Sequence, residues 1–327
     1  MPLDESPQLP VESGRPAVES GRLPVLKTYK LYLGGAFPRS ESGRSYVVSA
    51  ADGRFLANAA QASRKDARDA VVAARKAFPA WAAITAYNRG QILYRVAELM
   101  EGRRAEFSSS VVASEGLDSP AAEALVGQAI DRWIWYAGWT DKIAQVLGGA
   151  NPVAGPYFDF SIPEPTGVVA VIAPQVSSLL GLVSVLAPVM ATGCTAVVVA
   201  SEGRPLPAVT LSEVLATSDV PGGVVNILTG RLAELAPVLA AHMDVNALDV
   251  TGVAAAGVAD LQRLAAENVK RVFWPAPAGP AGPGAGGPGG EGPAAPDSGE
   301  PDWSADPGLD RIRAFVETKT VWHPMGV

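Results

Sequence analysis

The chain has 327 residues, a net charge of -7, one cysteine and two histidines. The acidic balance, with Lys and Arg scattered instead of gathered into a stripe, argues against a nucleic-acid partner. A lone Cys194 excludes an intrachain disulfide and any multi-cysteine metal site, which fits a reducing, cytoplasmic setting.

Residues 1–26 are polar and Pro-rich with no apolar h-region, so they do not read as a secretory signal. VESGR at 11–15 recurs at 18–22, with SESGR at 40–44; repeats this short point to a disordered leader and not to a solenoid. Folded material is expected over 27–274. Lys30–Leu33, Gly34-Gly35 and Tyr46–Ser49 suggest a small hairpin. Arg64–Trp81 follows as an amphipathic helix with Val71, Ala74 and Phe78 on one face. Two longer helices fit Asn88–Phe107 and Pro120–Leu147. Trp133, Tyr136 and Trp139 recur at spacing three on the second, a stripe that suits a buried face better than a cofactor box.

From Gly167 the pattern changes to short β-branched runs at Gly167–Ala173, Thr195–Ala200, Gly223–Leu228, Val245–Val250 and Val269–Phe273. Helix-length segments lie between them at Leu179–Thr192, Pro207–Thr217, Leu232–His242 and Val253–Glu267. Alternation of this kind implies an α/β fold with a doubly wound parallel sheet covered on both faces. The stretch from Gly167 to Ala200 has no charged residue and exceeds a bilayer span. Pro174, the polar Gln175–Ser178 break, Pro188 and Gly193 nevertheless divide it into strand, helix and strand, so no membrane span is expected. Ligands bind beyond the carboxyl ends of such strands. The loops at Pro174–Ser178, Ser201–Arg204, Thr229-Gly230 and Thr251-Gly252 are therefore the candidate site.

Residues 275–302 are dominated by Gly and Pro and read as a disordered linker that cannot bury enough apolar surface to offset its chain entropy. Gly287-Pro-Gly-Gly-Glu-Gly292 fits G-x-G-x-x-G, but no strand leads in and no helix follows, so it is discounted. Residues 303–327 read as a strand-like tail, long enough with the linker to reach the segment AGPYFDFSIPEP within 151–165.

EPTGVVAVIAP, APVMATGCTAVVVASE, VPGGVVNILTG and DVNALDVTG, in this order and spacing, resemble the coenzyme-binding domain of the NAD(P)-dependent aldehyde dehydrogenase superfamily. KLYLGGAFPRSESGR, the helix ending AFPAW, and ETKTVWHP resemble that superfamily's first strands, first helix and final oligomerisation strand. The wording is closest to a pseudo-catalytic branch related to its sixteenth class. The resemblance places cofactor contacts at Ile172, Ala173, Pro174, Ser201, Glu202, Gly230, Thr251 and Gly252, with NAD or NADP as the cofactor. It also makes 151–165 and the tail an oligomerisation arm.

Departures from the family pattern point away from chemistry. Val176 stands where the family has an Asn that holds a developing oxyanion, Val199 where it has a Lys, and Val253 where it has a Ser. Glu202 keeps a carboxylate for ribose hydroxyls, and phosphate contact would fall to backbone N–H groups at the helix start after Thr251-Gly252. The family's general base falls at Pro275. Its cysteine nucleophile belongs to a following domain in whose place the Gly/Pro run begins. Cys194, before a strand and with no His or Lys close in sequence, reads as a small buried hydrophobe. Ser177 and Ser178 read as helix caps before ligand contacts; His242 and Asp244 suggest capping at a helix end, and His323 sits on the tail strand. The expected function is a non-catalytic superfamily member in a homo-oligomer, or in a hetero-oligomer with a full-length paralogue. Cofactor binding is expected to be weak or lost. The alternatives are an active NAD(P)-dependent aldehyde dehydrogenase with atypical residues and a simple dinucleotide-binding module.

Overall fold

The computed structural model describes residues 26–275 and 300–326. The expected leader, most of the Gly/Pro run and the match at 287–292 lie outside the described residues.

The amino-terminal part begins with β1 (Thr28–Tyr29), β2 (Ser45–Ser49) and β3 (Phe55–Ala60), a small sheet ordered β1-β3-β2. The hairpin partner of β2 is thus β3 and not the Lys30–Leu33 segment, a correction to the sequence reading. The Leu33 to Ala36 turn closes on itself, and Tyr32 instead bridges Ile227 at the edge of the main sheet.

Helix α1 (Arg64–Ala83) opens with a capping box in which the Ser63 hydroxyl accepts from the Lys65 and Asp66 amides and the Asp66 carboxylate accepts from the Ser63 amide. Val71 and Ala74 of the expected face are fully buried, whereas Phe78 is only half-buried and Trp81 packs inside. The next expected helix is two, α2 (Ala86–Gly102) and α3 (Arg104–Glu115). Gly102 weakens the helix at the join, and the Arg103 guanidinium is drawn onto Glu106 and Glu213. The third also divides, into α4 (Ser119–Trp139) and α5 (Ile143–Leu147); the Thr140 hydroxyl turns back onto the Ala137 carbonyl there. Trp133 and Tyr136 are fully buried on α4, as the core reading expects.

The arm strands β4 (Gly149–Asn151) and β5 (Tyr157–Pro165) come next. The doubly wound unit follows: β6 (Val168–Ile172), α6 (Leu180–Ala191), β7 (Thr195–Val199), α7 (Leu206–Thr217), β8 (Val225–Leu228), α8 (Leu232–Ala241), β9 (Ala247–Asp249), α9 (Ala255–Ala266) and β10 (Arg271–Phe273). Its sheet is all parallel in the order β10-β9-β6-β7-β8. Every residue of β6, β7, β8 and α6 is buried, which is why Gly167–Ala200 is uncharged: the run is interior on both sheet faces. No helix among the described residues is long and apolar enough to cross a membrane.

The tail is more than a strand. It contains α10 (Asp310–Ala314), which packs against α6 and β10, before β11 (Val316–Pro324). β11 pairs antiparallel with β5 over their full length, from Val316 opposite Pro165 to Pro324 opposite Tyr157, and β4 lines the other side of β5.

Candidate functional site

The chain leaves β6 toward β7 on one side and returns through β9 on the other, so the strand order reverses between β6 and β9. In a doubly wound sheet the crevice beyond that reversal is where ligands bind. The loops after β6, β7 and β9 meet there. Gly252 is a close-approach residue: its amide donates to the Ile172 carbonyl at 3.0 Å, and a Cβ would collide with the Ala173 carbonyl oxygen. Gly230, at φ 149°, makes the turn into α8 beside the Ala62 backbone.

A carboxylate from the tail occupies the loop after β6. Glu300 accepts from the backbone amides of Gln175 (2.7 Å), Val176 (2.8 Å) and Ser177 (3.2 Å), and from the Trp303 indole at 3.2 Å. Three convergent amides satisfy an anion well. The expected linker therefore ends before Glu300, whose contacts hold the tail against the sheet. Val176 has no side-chain donor, as the sequence reading notes, yet its main-chain amide is one of the three. On the other flank the Arg204 guanidinium donates to the Val176 carbonyl at 2.6 Å, and the Ser201 hydroxyl donates to the Gln175 carbonyl at 2.9 Å.

The tail also reaches the end of β9. Arg311 pairs with the fully buried Asp249 and donates to the Thr251 hydroxyl at 3.0 Å, while Asp249 accepts from the Thr251 amide and hydroxyl. The Arg311 guanidinium lies over the Phe273 ring at 4.7 Å and the Trp303 ring at 5.5 Å. Arg132 on α4 donates to the carbonyls of Trp303 (2.6 Å) and Ala305 (3.0 Å). Residues 300–311 thus lie along the mouth of the crevice, fixed at Glu300, Trp303 and Arg311.

The eight positions expected to contact a cofactor lie at this end of the sheet, and the side chains of Ser201, Glu202 and Thr251 and the Gly252 amide are engaged within the chain. Glu202 accepts from the Arg231 guanidinium at 2.6 Å and from the Leu232 amide at 2.9 Å, capping α8. Ser201 bonds Gln175 and Arg204; Thr251 bonds Asp249 and Arg311. The amides of Gly252 and Val253 donate to Ile172 and Val250, so these two are not available to a phosphate. Ile172, Ala173 and Pro174 are buried.

Neither serine is the cap residue of α6, which is Leu179 without a side-chain cap: Ser177 lies two residues before it and accepts from the Gly181 amide of the first turn at 3.0 Å, and Ser178 donates instead to Glu115 at 2.6 Å. Burial pushes the Glu115 carboxyl above its ordinary value, opposed by its bonds to Ser178. Cys194 is fully buried, its thiol donating to the Phe315 carbonyl at 3.2 Å, and burial raises its pKa. His242 accepts from the Asp244 amide at the end of α8, and His323 is exposed on β11. Sequence reasoning missed Glu300, Arg311, Arg132 and Glu115. Each acts across a long chain separation, and the one local hint was a charged pair of arginines in an apolar frame at Asp310–Phe315.

Residues 37–275 match the profile described as "Aldehyde dehydrogenase family". The chain is 34% identical over 251 residues to the putative aldehyde dehydrogenase DhaS of Bacillus subtilis (strain 168), covering 75% of this chain and 50% of that protein. It is 32% identical over 263 residues to the cytosolic 10-formyltetrahydrofolate dehydrogenase of Mus musculus, covering 77% of this chain and 28% of that one. Among solved structures it is similar to the NAD+ complex of aldehyde dehydrogenase from Bacillus cereus, at TM-score 0.70 and 28% identity, over 76% of this chain and 50% of that chain. The chain spans half or less of the length of these relatives.

Proposed function

The chain belongs to the aldehyde dehydrogenase family, and from that premise we propose that it is a non-catalytic member that serves as a structural or regulatory subunit of an oligomer. The observation that carries this reading is the tail lying across the crevice, with Glu300 on the Gln175–Ser177 amides and Arg311 on Asp249. Aldehyde oxidation needs an accessible thiolate and a base for the hydrolytic water. The sequence has Cys194 as its one cysteine, and that thiol is buried, its pKa raised by burial, and directed at a main-chain carbonyl. Trp274-Pro275 offers no base.

A dinucleotide does not fit the residues as they stand. Its ribose would compete with Arg231 and Leu232 for Glu202, and its pyrophosphate with the carbonyls that already hold the Gly252 and Val253 amides. NAD or NADP binding is accordingly weak or lost. Assembly rests on the arm: Tyr157, Phe158, Ile162 and Trp322 are exposed on β5 and β11, an apolar surface of the kind that partners cover. The partner is a second copy or a full-length aldehyde dehydrogenase.

Two measurements test the reading. Purified protein with simple aldehydes and either nicotinamide cofactor should give no NAD(P)H; robust turnover abolished by Cys194→Ser overturns the non-catalytic assignment. Light scattering on the full chain should report an oligomer that deletion from Val316 onward weakens; the same oligomer in both would remove the arm from the argument.

A further inference from the structure

Residues 300–310 are held differently from the rest of the tail. None of them is buried, whereas Arg311, Ile312, Phe315 and Val316 just after them are. Among the described residues, the hydrogen bonds that tie this strap to the body are those of Glu300 with the Gln175, Val176 and Ser177 amides and those of Arg132 with the Trp303 and Ala305 carbonyls. Its two turns are closed from within: Asp302 accepts from the Ser304 amide and hydroxyl, and Asp306 from the Gly308 amide. Both turns would travel with the strap. A segment with few buried contacts opens at lower cost than the packed segment beside it.

A hinge lies near that boundary. Gly308 has φ 59°, in the left-handed region, and a Cβ there would meet nothing within 4 Å. Rotation at this glycine swings 300–307 away while α10 and β11 keep their places and the buried Arg311–Asp249 pair stays closed. The other end leaves room for the movement. Pro275 and Pro301 border one small cavity, yet 24 residues stand between Pro275 and Glu300, several times the chain length that such a gap requires.

Opening has a chemical consequence. It takes the carboxylate away from three convergent amides at the carboxyl end of β6, and the seating of Glu300 on them is direct evidence of what they hold. Asp302 and Asp306 depart with the strap. Glu115 takes the next amide along, that of Ser178, and Arg204 sits on the Val176 carbonyl, so one charge of each sign flanks the three amides that remain.

We propose that residues 300–307 are a hinged strap over the crevice and that Glu300 is a built-in competitor for the carboxylate of a ligand entering there. Closed, it fills the Gln175–Ser177 amides; open, it yields them. A tethered group of this kind acts at an effective concentration on the order of millimolar, so a free carboxylate displaces it only at comparable concentration or with further contacts in the crevice. This device rests on the reading of the crevice as a ligand site and not on the absence of turnover, so its failure would leave the outcome of the aldehyde assay untouched.

Hydrogen exchange on the full chain tests both parts. In the wild type the three amides should exchange by a local opening, faster than the β11 amides paired with β5 and at rates insensitive to urea below the unfolding transition. Gly308→Val strains the closed hinge and leaves Glu300 intact. It should speed exchange at the three amides by about five- to thirtyfold, the factor set by holding an L-residue left-handed, with β11 unaltered. In Glu300→Ala, and equally in Glu300→Gln, sodium acetate titrated against sodium chloride of equal ionic strength should restore protection of the three amides saturably. Exchange of these amides in step with β11, or an unchanged rate in Gly308→Val, would overturn the hinged strap. No saturable protection by acetate in either Glu300 variant would overturn the role of Glu300 as a ligand's competitor.

Discussion

Arg311→Met removes the cation from a carboxylate that has no access to solvent. Asp249 would keep only the Thr251 amide at 3.0 Å and the Thr251 hydroxyl, in an environment that already disfavours its charge by burial. Removing one partner from a buried pair costs on the order of 3–5 kcal/mol because the other charge stays behind. For a folded unit of this size, where each kcal/mol moves the midpoint by about 2–4 °C, that corresponds to a fall of roughly 6–20 °C. Scanning calorimetry on both proteins would measure it. The decisive comparison is the double variant Asp249→Asn/Arg311→Met. The carboxamide placed there retains an oxygen for the Thr251 amide and carries no charge, so more than half of the lost stability should return. A loss below about 1 kcal/mol in the single variant, or a double variant no better than the single, would refute the claim that this pair fastens the tail to the sheet.

Three further outcomes follow from the same geometry. Because burial holds the Glu115 carboxyl above its ordinary 4.5, the folded state takes up its proton at higher pH than the unfolded chain does, and its contribution to stability falls as pH rises from 4.5 through the folded value. Glu115→Gln should therefore melt at or above wild type at pH 7.5, with the gap closing toward pH 4.5; a variant less stable at pH 7.5 would contradict the assignment. Cys194 should resist a thiol reagent in buffer and react in step with global unfolding across a urea titration, and fast labelling of native protein would be the contrary result. Glu300→Ala should accelerate hydrogen exchange at Gln175, Val176 and Ser177 while leaving β6 and β7 protected; unchanged exchange would mean that the three amides do not depend on that carboxylate.

The doubly wound sheet was legible because its strands are short continuous β-branched runs between Pro and Gly breaks, a pattern that burial on both faces imposes. Helix ends at Arg103 and Thr140 were not, since a single Gly or a hydroxyl turning onto a carbonyl leaves the apolar period almost unaltered. β3, FLANAA, escaped because three of its six residues are alanine, a poor strand signal that is made a strand by its pairing with β2. At the site, the loops could be located from strand ends alone. What fills them could not: Glu300 lies 125 residues from Gln175, and Arg311 lies 62 from Asp249, beyond any local pattern.

That last separation has a kinetic side. Translation at about 5–20 residues per second puts roughly 3–12 s between the synthesis of Asp249 and that of the arginine which neutralises it. Over this interval β9 can be completed only with its carboxylate hydrated or protonated, so the sheet between β6 and β9 has reason to stay unlatched while the nascent chain lengthens. Closure then waits on a long-range docking step, and β5, whose partner strand arrives later still, presents an unpaired edge throughout. The interval in which the β9 end of the sheet stays unlatched is therefore set by the Asp249-to-Arg311 separation, that in which β5 is open to a wrong strand by the longer wait for β11, and shortening the intervening Gly/Pro segment should narrow both.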